Sequence, residues 1–198
     1  MATLTIQHWQ GAEIAAGIDA LAALRIRVFR AWPYLYDGSL EYERSYLRTY
    51  VEAPSSLVAA VFDGDELVGA TTALPMPDEE PSFRHPLSEA GFDITTVFYF
   101  GESLLLPAYR GRGLGHAFFD AREAHAAALG YTTTCFCAVN RPADHPARPA
   151  DYRPLDAFWR GRGYQPRADI VARYDWRDRD DTEQTTKTLT FWLRDLNP

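Results

Sequence analysis

The stretch YRGRGLGHAFF, residues 109–119, sets two arginines and three glycines directly before a run with helical periodicity. Glycine lets backbone amides approach a ligand closely, and the first turn of a helix leaves N–H groups without intrahelical partners. Such a turn is suited to binding an anion. The expected anion-binding positions are Arg110, Gly111, Arg112, Gly113, Leu114, Gly115 and His116.

The composition of the whole chain is that of an ordinary globular protein. Its 198 residues are 46% hydrophobic and carry a formal net charge of -7. This length predicts one domain over residues 1–198, and the negative charge argues against nucleic acid or an anionic membrane as a partner. The sequence contains neither a membrane-spanning run nor a secretion signal, which predicts a cytoplasmic protein. Cys135 and Cys137 are expected to be buried thiols, with no disulfide and no metal site.

Alternating and helical patterns divide the chain into strands and helices. Ser39 is the expected N-cap of the second helix, and an Asp-Gly turn at Gly64 joins the clearest hairpin. The predicted strands are residues 3–9, the hairpin 56–74, 95–106, 131–139, 168–176 and 187–196, and the predicted helices are residues 12–29, 40–51, 113–129 and 155–163. Proline-rich loops are expected at residues 75–93, with room for one short helix, and at 140–154.

Two common phosphate-binding motifs do not fit the glycine turn. A P-loop needs lysine and then serine or threonine after its last glycine, but Gly115 is followed by His116. A dinucleotide-binding turn needs glycines spaced G-x-G-x-x-G and an acid at the end of the next strand. Here the third glycine comes one position early, and the next strand ends at Asn140.

A third motif does fit. The segment LLLPAYRGRGLGHAFF resembles motif A of the GNAT acyltransferases, R/Q-x-x-G-x-G/A, with Arg110, Gly113 and Gly115 at its fixed positions. The order of predicted elements is also similar to the GNAT fold over most of the chain. The resemblance implies a single α/β domain with a mixed, mostly antiparallel sheet of about seven strands, flanked by helices and splayed at the motif A strand.

The same resemblance implies acetyl-CoA as co-substrate and no metal. The pyrophosphate of coenzyme A would lie on the amides of residues 111 to 116, and strand amides near Leu104 and Leu106 would pair with the pantetheine arm. The remaining expected cofactor contacts are Leu105, Asn140, Phe158 and Trp159.

Glu102, on the strand before motif A, is the expected general base. Strand alternation would place it on the face of Phe98, Phe100 and Leu104, where apolar neighbours would raise the pKa of its carboxyl group. Many GNAT enzymes have an acid at about this point that deprotonates the amine. The alternative is a carboxylate that pairs with a nearby arginine in a structural role.

The sequence departs from the family in its last helix. Trp159 occupies the position of the tyrosine that usually serves as general acid, and Tyr152 falls where an asparagine is usual. An indole N–H does not supply a proton at neutral pH. Three alternatives remain open: Tyr152 acts as the acid, the thiolate leaves without a dedicated acid, or the protein binds acyl-CoA without turnover.

The family's acceptor pocket corresponds to residues 31–43, 75–83 and 177–186, which are rich in acids and, in the first two segments, in aromatic residues. Acids and aromatic rings suit a cationic amine, although solvated loops would look similar. The expected substrate contacts are Tyr34, Tyr36, Asp37 and Tyr42. The sequence thus predicts an N-acetyltransferase for a small-molecule or peptide amine, with a homodimer allowed, and a non-catalytic acyl-CoA sensor as the alternative.

Overall fold

Residues 4–196, described in a computed structural model, form one seven-stranded sheet and five α-helices. The strands are β1 (Leu4–Trp9), β2 (Leu57–Asp63), β3 (Glu66–Pro75), β4 (Val97–Leu105), β5 (Thr133–Val139), β6 (Gln165–Trp176) and β7 (Thr185–Asp195). The helices are α1 (Ala12–Phe29), α2 (Leu40–Glu52), α3 (Pro81–Glu89), α4 (Leu114–Ala128) and α5 (Asp156–Gly161). The first predicted strand began at Thr3, which lies outside the described residues.

The sheet is mixed and mostly antiparallel, as predicted. Its strand order is β1-β2-β3-β4-β5-β7-β6, and β4 with β5 is the parallel pair among the described residues. These two strands pair over three residues each, from Val97 opposite Thr133 to Tyr99 opposite Cys135. Beyond Tyr99 they separate. The predicted splay is therefore confirmed, and it leaves a cleft in the middle of the sheet.

The N-terminal helices follow their sequence signals. Helix α1 has the predicted bounds, and α2 begins after Ser39, whose side chain accepts a hydrogen bond from the Tyr42 amide at 3.3 Å. Leu21 of α1 and Leu47 of α2 are fully buried in one cluster with Leu104 of β4. This packing fixes both helices against the strand that carries Glu102.

A β-bulge in β4 overturns one prediction. Thr71 pairs with Ser103 but Ala73 pairs with Phe100, so two residues of β4, Gly101 and Glu102, lie opposite one residue of β3. A bulge reverses strand alternation. Phe98 and Phe100 pack in the cluster of Phe119 on α4, whereas the Glu102 carboxylate turns towards Arg25 of α1. The expectation that Glu102 shares the face of Phe98 and Phe100 was wrong.

The two proline-rich loops differ in structure. The first contains a 3-10 turn at Met76–Asp78 and the nine-residue helix α3. The second is irregular and is anchored by Arg141, which donates to both carboxylate oxygens of Asp178 at 2.6 and 2.9 Å and to the backbone oxygens of Pro33 and Tyr34. Arg141 thus joins three loops at one end of the sheet.

The two cysteines are buried free thiols on β5, as expected. Within residues 4–196, no helix has the length and apolar character needed to cross a bilayer.

Candidate active site

A cleft of about 1040 Å³ opens where β4 and β5 separate, and we call it the glycine-turn cleft. Of the residues expected to hold a cofactor, nine line it: Leu105, Arg110, Gly111, Gly113, Gly115, His116, Asn140, Phe158 and Trp159. The predicted catalytic residues Glu102 and Tyr152 line it as well. Its size lies at the upper end of the range for small-molecule sites.

The glycine turn has the geometry of an anion cradle. Gly111 and Gly113 have φ angles of 74° and 82°, a region that other residues enter only with strain. A Cβ built on either residue would meet no protein atom within 4 Å, so the space above the turn is open. Gly113 is the N-cap of α4, and the positive end of the helix dipole adds to the attraction for a phosphate.

This turn has one free backbone amide fewer than the six expected at residues 111 to 116. The His116 amide donates to the Gly113 oxygen at 3.0 Å, and the Arg110 amide donates to the Pro107 oxygen at 3.2 Å. Within residues 4–196, the amides of residues 111 to 115 have no backbone partner. The arrangement therefore fits a pyrophosphate with five amides available rather than six.

Four of the expected cofactor residues do not line the cleft. Leu104, Leu106 and Leu114 are buried in the core, and the Arg112 guanidinium lies over the Tyr109 ring, 5.1 Å from its centroid.

The expected strand amides also need correction. The Leu106 amide donates to the Val68 oxygen at 3.0 Å, so it is not free. Alternation then directs the Leu104 amide to β3 as well, since Leu104 lies opposite Ala70. The groups that face the cleft are those of Ser103 and Leu105. The Leu105 oxygen accepts from Arg110 Nε at 3.3 Å on that side.

Helix α5 lines the cleft beside the glycine turn. The Phe158 ring lies 4.9 Å from the His116 ring, and the Trp159 ring lies 5.0 Å from those of Phe136 and Trp192. Trp159 therefore packs on the sheet beside the cleft. Asn140 is held by Thr188 and Thr190, at 3.1 and 3.0 Å.

Sequence reasoning missed Arg122, which lines the same cleft from α4. Its side chain is 2% exposed, donates to the Glu102 backbone oxygen at 3.2 Å and stacks on Phe100. Burial lowers the pKa of Arg122 to about 10. The signal was a charged residue within the buried series Phe118, Arg122 and Ala126, spaced by four.

A second cavity, of about 480 Å³, lies between α1, α2 and the β6–β7 end of the sheet, and we call it the aromatic cavity. All four predicted substrate residues line it: Tyr34, Tyr36, Asp37 and Tyr42. Five residues line both this cavity and the glycine-turn cleft: Phe29, Tyr34, Gly101, Glu102 and Cys137. The two cavities thus meet at the bulge in β4, and we call this place the junction.

Glu102 at the junction belongs to a buried ionic cluster. Its carboxylate pairs with Arg25, which also pairs with the fully buried Glu43, and Thr72 Oγ1 donates to Glu102 Oε2 at 2.7 Å. The surroundings are therefore polar rather than apolar, as in the alternative of a carboxylate paired with arginine. The Glu102 carboxyl group is the acid at the junction that could accept a proton from an amine.

Two neutral groups accompany Glu102 at the junction. Burial raises the pKa of the Tyr34 phenol to about 12, and burial raises the pKa of the Cys137 thiol well above its usual value. Tyr34 can therefore donate a proton at neutral pH, and Cys137 is a thiol rather than a nucleophilic thiolate. Tyr152, which lies in the cleft with its ring 5.8 Å from that of Trp32, also has a raised pKa because it is partly buried.

Glu79, at the end of the first proline-rich loop's 3-10 turn, is a further buried acid that sequence reasoning did not single out. It is 3% exposed, and its Oε2 atom has no hydrogen-bond partner within the described chain. Burial raises the pKa of this carboxyl group to about 7. The titratable groups around it are Arg25, Tyr46, Tyr50, Glu80, Arg84, Tyr99, Cys135 and Cys137.

Among residues 4–196, no group of three or more His, Cys, Asp or Glu side chains is placed to hold a metal ion.

A family model described as acetyltransferase (GNAT) family matches residues 21–150. Three solved structures are similar over nearly the full length of both chains. An acetyltransferase of Thermus thermophilus is 18% identical with a TM-score of 0.55, covering 98% of this chain and 97% of that one. The PaiA N-acetyltransferase of Thermoplasma acidophilum, solved with coenzyme A, is 12% identical with a TM-score of 0.56, covering 98% and 99%.

The ribosomal-protein-S18-alanine N-acetyltransferase of Escherichia coli is 13% identical with a TM-score of 0.56, covering 99% of this chain and 96% of that one. At these identities the likeness concerns the fold. Among curated proteins, no sequence matches the chain.

Proposed function

This chain belongs to the acetyltransferase (GNAT) family, and from that premise we propose that it transfers an acetyl group from acetyl-CoA to a primary amine of a small molecule or peptide. The observation that carries the proposal is the junction of two cavities at Glu102. One cavity has an anion cradle at a helix N-terminus, and the other has the acids and aromatic rings of an amine site. A transferase for two substrates needs both sites to open on the same reacting atoms.

Coenzyme A would be held by groups already described. The five unpaired amides and the open space over Gly111 and Gly113 fit its pyrophosphate. The edge of β4 at Ser103 and Leu105 offers hydrogen bonds to the amides of the pantetheine arm, in the manner of an added strand. Acetyl-CoA supplies an activated acetyl thioester, and these contacts direct its thioester end to the junction.

The residues of the junction would handle the protons. Glu102 accepts the proton that the amine loses, directly or through a water molecule. Two phenols can donate to the leaving sulfur: Tyr152, expected from the sequence, and Tyr34, which lines both cavities. A thiolate has a pKa near 8.5 and can also leave without a dedicated acid. Because Cys137 is held as a neutral thiol, we propose direct transfer to the amine rather than an acetyl-enzyme.

The test is release of free thiol from acetyl-CoA in the presence of a mixed panel of amines. Release that depends on an amine supports the transferase. Tight binding of coenzyme A with no release from any amine would contradict it and support the alternative, an acyl-CoA sensor, which the absence of a phenol at Trp159 suggested.

A further inference from the structure

Aromatic rings form nearly half of the wall of the aromatic cavity. Nine of its lining residues are Phe, Tyr or Trp. Phe83 stacks on Tyr174 with centroids 5.5 Å apart and planes at 30°, and it lies 5.4 Å from the ring of Tyr99. Ring faces of this kind favour a flat apolar group over an extended polar one.

Three of the six tyrosine hydroxyls that line the cavity, those of Tyr42, Tyr46 and Tyr174, lie within hydrogen-bond distance of another tyrosine hydroxyl. The Tyr42 and Tyr174 hydroxyls are 2.6 Å apart, and the Tyr46 and Tyr50 hydroxyls are 3.3 Å apart. Burial raises the pKa of each of these four phenols, so they stay neutral. What they offer to a ligand is mainly ring surface.

The charges around the cavity balance to a single negative charge. Its lining contains three carboxylates, of Asp37, Glu102 and Asp175, and two guanidinium groups, of Arg25 and Arg177. Two charged residues outside the lining pair with residues of the lining: Glu43 with Arg25, and Arg30 with Asp37. Glu43 adds one negative charge and Arg30 adds one positive charge, so the net charge remains a single negative charge.

Within the aromatic cavity this charge is located at the junction, whereas Arg122 lines only the glycine-turn cleft. At the junction, one guanidinium of Arg25 lies between the two carboxylates of Glu43 and Glu102. At the far end, Asp37 pairs with both Arg30 and Arg177, which balance it together with Asp175. An ammonium group would therefore be attracted to the end of the cavity that adjoins the glycine-turn cleft.

We propose that the acceptor is a primary amine with one positive charge on a flat aromatic body, of the size of 2-phenylethylamine. This rests on the proposed function. The ammonium lies at Glu102 and the ring lies among Tyr42, Phe83 and Tyr174. In the transfer, the ammonium first gives one proton to Glu102, the neutral amine nitrogen then forms the bond to the acetyl carbon, and the carbon–sulfur bond breaks. The second proton of the nitrogen leaves on coenzyme A as the thiol, or passes to water when coenzyme A leaves as the thiolate.

The same features disfavour three other classes of amine. A polyamine would place a second ammonium at the far end, where the acids are balanced by arginines. An amino acid would bring its carboxylate close to Glu43 and Glu102. A peptide would need to fit its first residues into a cavity of about 480 Å³.

The experiment compares five probes in the thiol-release assay, with the acetylated product identified by mass spectrometry: 2-phenylethylamine, ethylamine, phenylalanine, spermidine and a short peptide with a free N-terminus. Burying a phenyl ring should raise kcat/KM for 2-phenylethylamine over ethylamine by about 10- to 100-fold. Phenylalanine, spermidine and the peptide should all be poorer substrates than 2-phenylethylamine.

A pair of matched variants tests the ring contacts. Tyr42 is 43% exposed, so Tyr42→Leu should fold, and it should lower kcat/KM for 2-phenylethylamine by about 2- to 10-fold more than it lowers kcat/KM for ethylamine. Tyr131→Leu makes the same change in a tyrosine that packs on Phe98 and lines neither cavity, and it should alter neither rate.

The outcomes separate this inference from the proposed function. If ethylamine, spermidine or the peptide is acetylated as well as 2-phenylethylamine, the chain is a transferase and the inferred substrate class is wrong. If both tyrosine variants behave alike, the ring contacts are wrong. If no amine is acetylated, the proposed function itself fails.

Discussion

Replacing Gly113 by alanine tests the coenzyme A site with a built-in control on the same helix. Gly113 at the start of α4 and Gly130 after its end have φ angles of 82° and 84°, and a Cβ at either would meet no protein atom within 4 Å. The two substitutions therefore impose the same backbone strain. They differ in that Gly113 faces the glycine-turn cleft and Gly130 does not.

The magnitudes follow from this geometry. Alanine in the left-handed region costs about 1 kcal/mol, which lowers Tm by about 2–4 °C in a chain of this size, and we expect this loss in both variants. In Gly113→Ala the new methyl group also occupies the space where we propose that a phosphate of coenzyme A binds. Loss of one hydrogen bond to a charged group costs about 1.5–3 kcal/mol, so the Kd for coenzyme A should rise by about 10- to 100-fold.

Isothermal titration calorimetry measures the rise in the Kd for coenzyme A, and thermal unfolding measures the fall in Tm. The reasoning is refuted if Gly113→Ala binds coenzyme A as tightly as Gly130→Ala while both variants remain folded. Equal weakening in both variants would also refute it, because the effect would then come from strain in α4 rather than from the cradle.

Three further predictions concern the acids and phenols. Glu102→Gln should lower kcat/KM by about 10²- to 10⁴-fold and remove the acid limb of the pH profile, without changing the affinity for coenzyme A. The control Glu66→Gln, in an exposed ion pair, should leave both kcat/KM and its pH profile unchanged. An unaltered pH profile in Glu102→Gln would exclude Glu102 as the base. If Tyr34 protonates the leaving sulfur, Tyr34→Phe should slow turnover more than Tyr152→Phe, and the reverse order in kcat would assign that role to Tyr152. Because the folded pKa of Glu79 is raised from 4.5 to about 7, its folded form holds the proton longer than the unfolded chain, so stability should fall by about 3 kcal/mol as pH rises from 4.5 through 7. Chemical denaturation at several pH values should show this fall in the wild type and not in Glu79→Gln; equal slopes would contradict it.

Local signals in the sequence were sufficient for most of the fold. Ser39 capped α2 as expected, and Gly113 took the positive φ that the glycine turn required. Helix α1 has its predicted bounds because its apolar spacing is uninterrupted and its ends are marked by glycine and by the turn before Pro33. These features depend on neighbours within a few residues, which a sequence displays directly.

The parts that the sequence did not predict depend on contacts between distant segments. At the bulge, Thr72 of β3 lies opposite two residues of β4, Gly101 and Glu102. No local sequence pattern predicts such a register shift. The pairing of Arg25 with Glu43 and Glu102 joins α1, α2 and β4. Both features determine what Glu102 faces. Its position was predicted from the strand before motif A, and its pairing with an arginine was expected only as the alternative to an apolar environment.

The assignment of the free strand amides failed for the same reason. Which amides of β4 face the cleft is decided by its hydrogen-bond register with β3, seen in the bond from the Leu106 amide to Val68. A register is a property of two strands, and a slip of one residue exchanges the inward and outward groups. The sequence located the strand but could not distinguish Leu104 and Leu106 from Ser103 and Leu105.

The central claim is that the chain moves an acetyl group directly from acetyl-CoA to an amine held at the junction. A single-turnover experiment, with the chain in excess over acetyl-CoA carrying a labelled acetyl group, tests it when the label is followed by mass spectrometry in the amine and in the intact protein. We predict that the label appears in the N-acetylated amine, only when an amine is present, and never on the protein. Label on Cys137 would contradict direct transfer, and label that stays in bound acetyl-CoA with every amine would contradict the transferase.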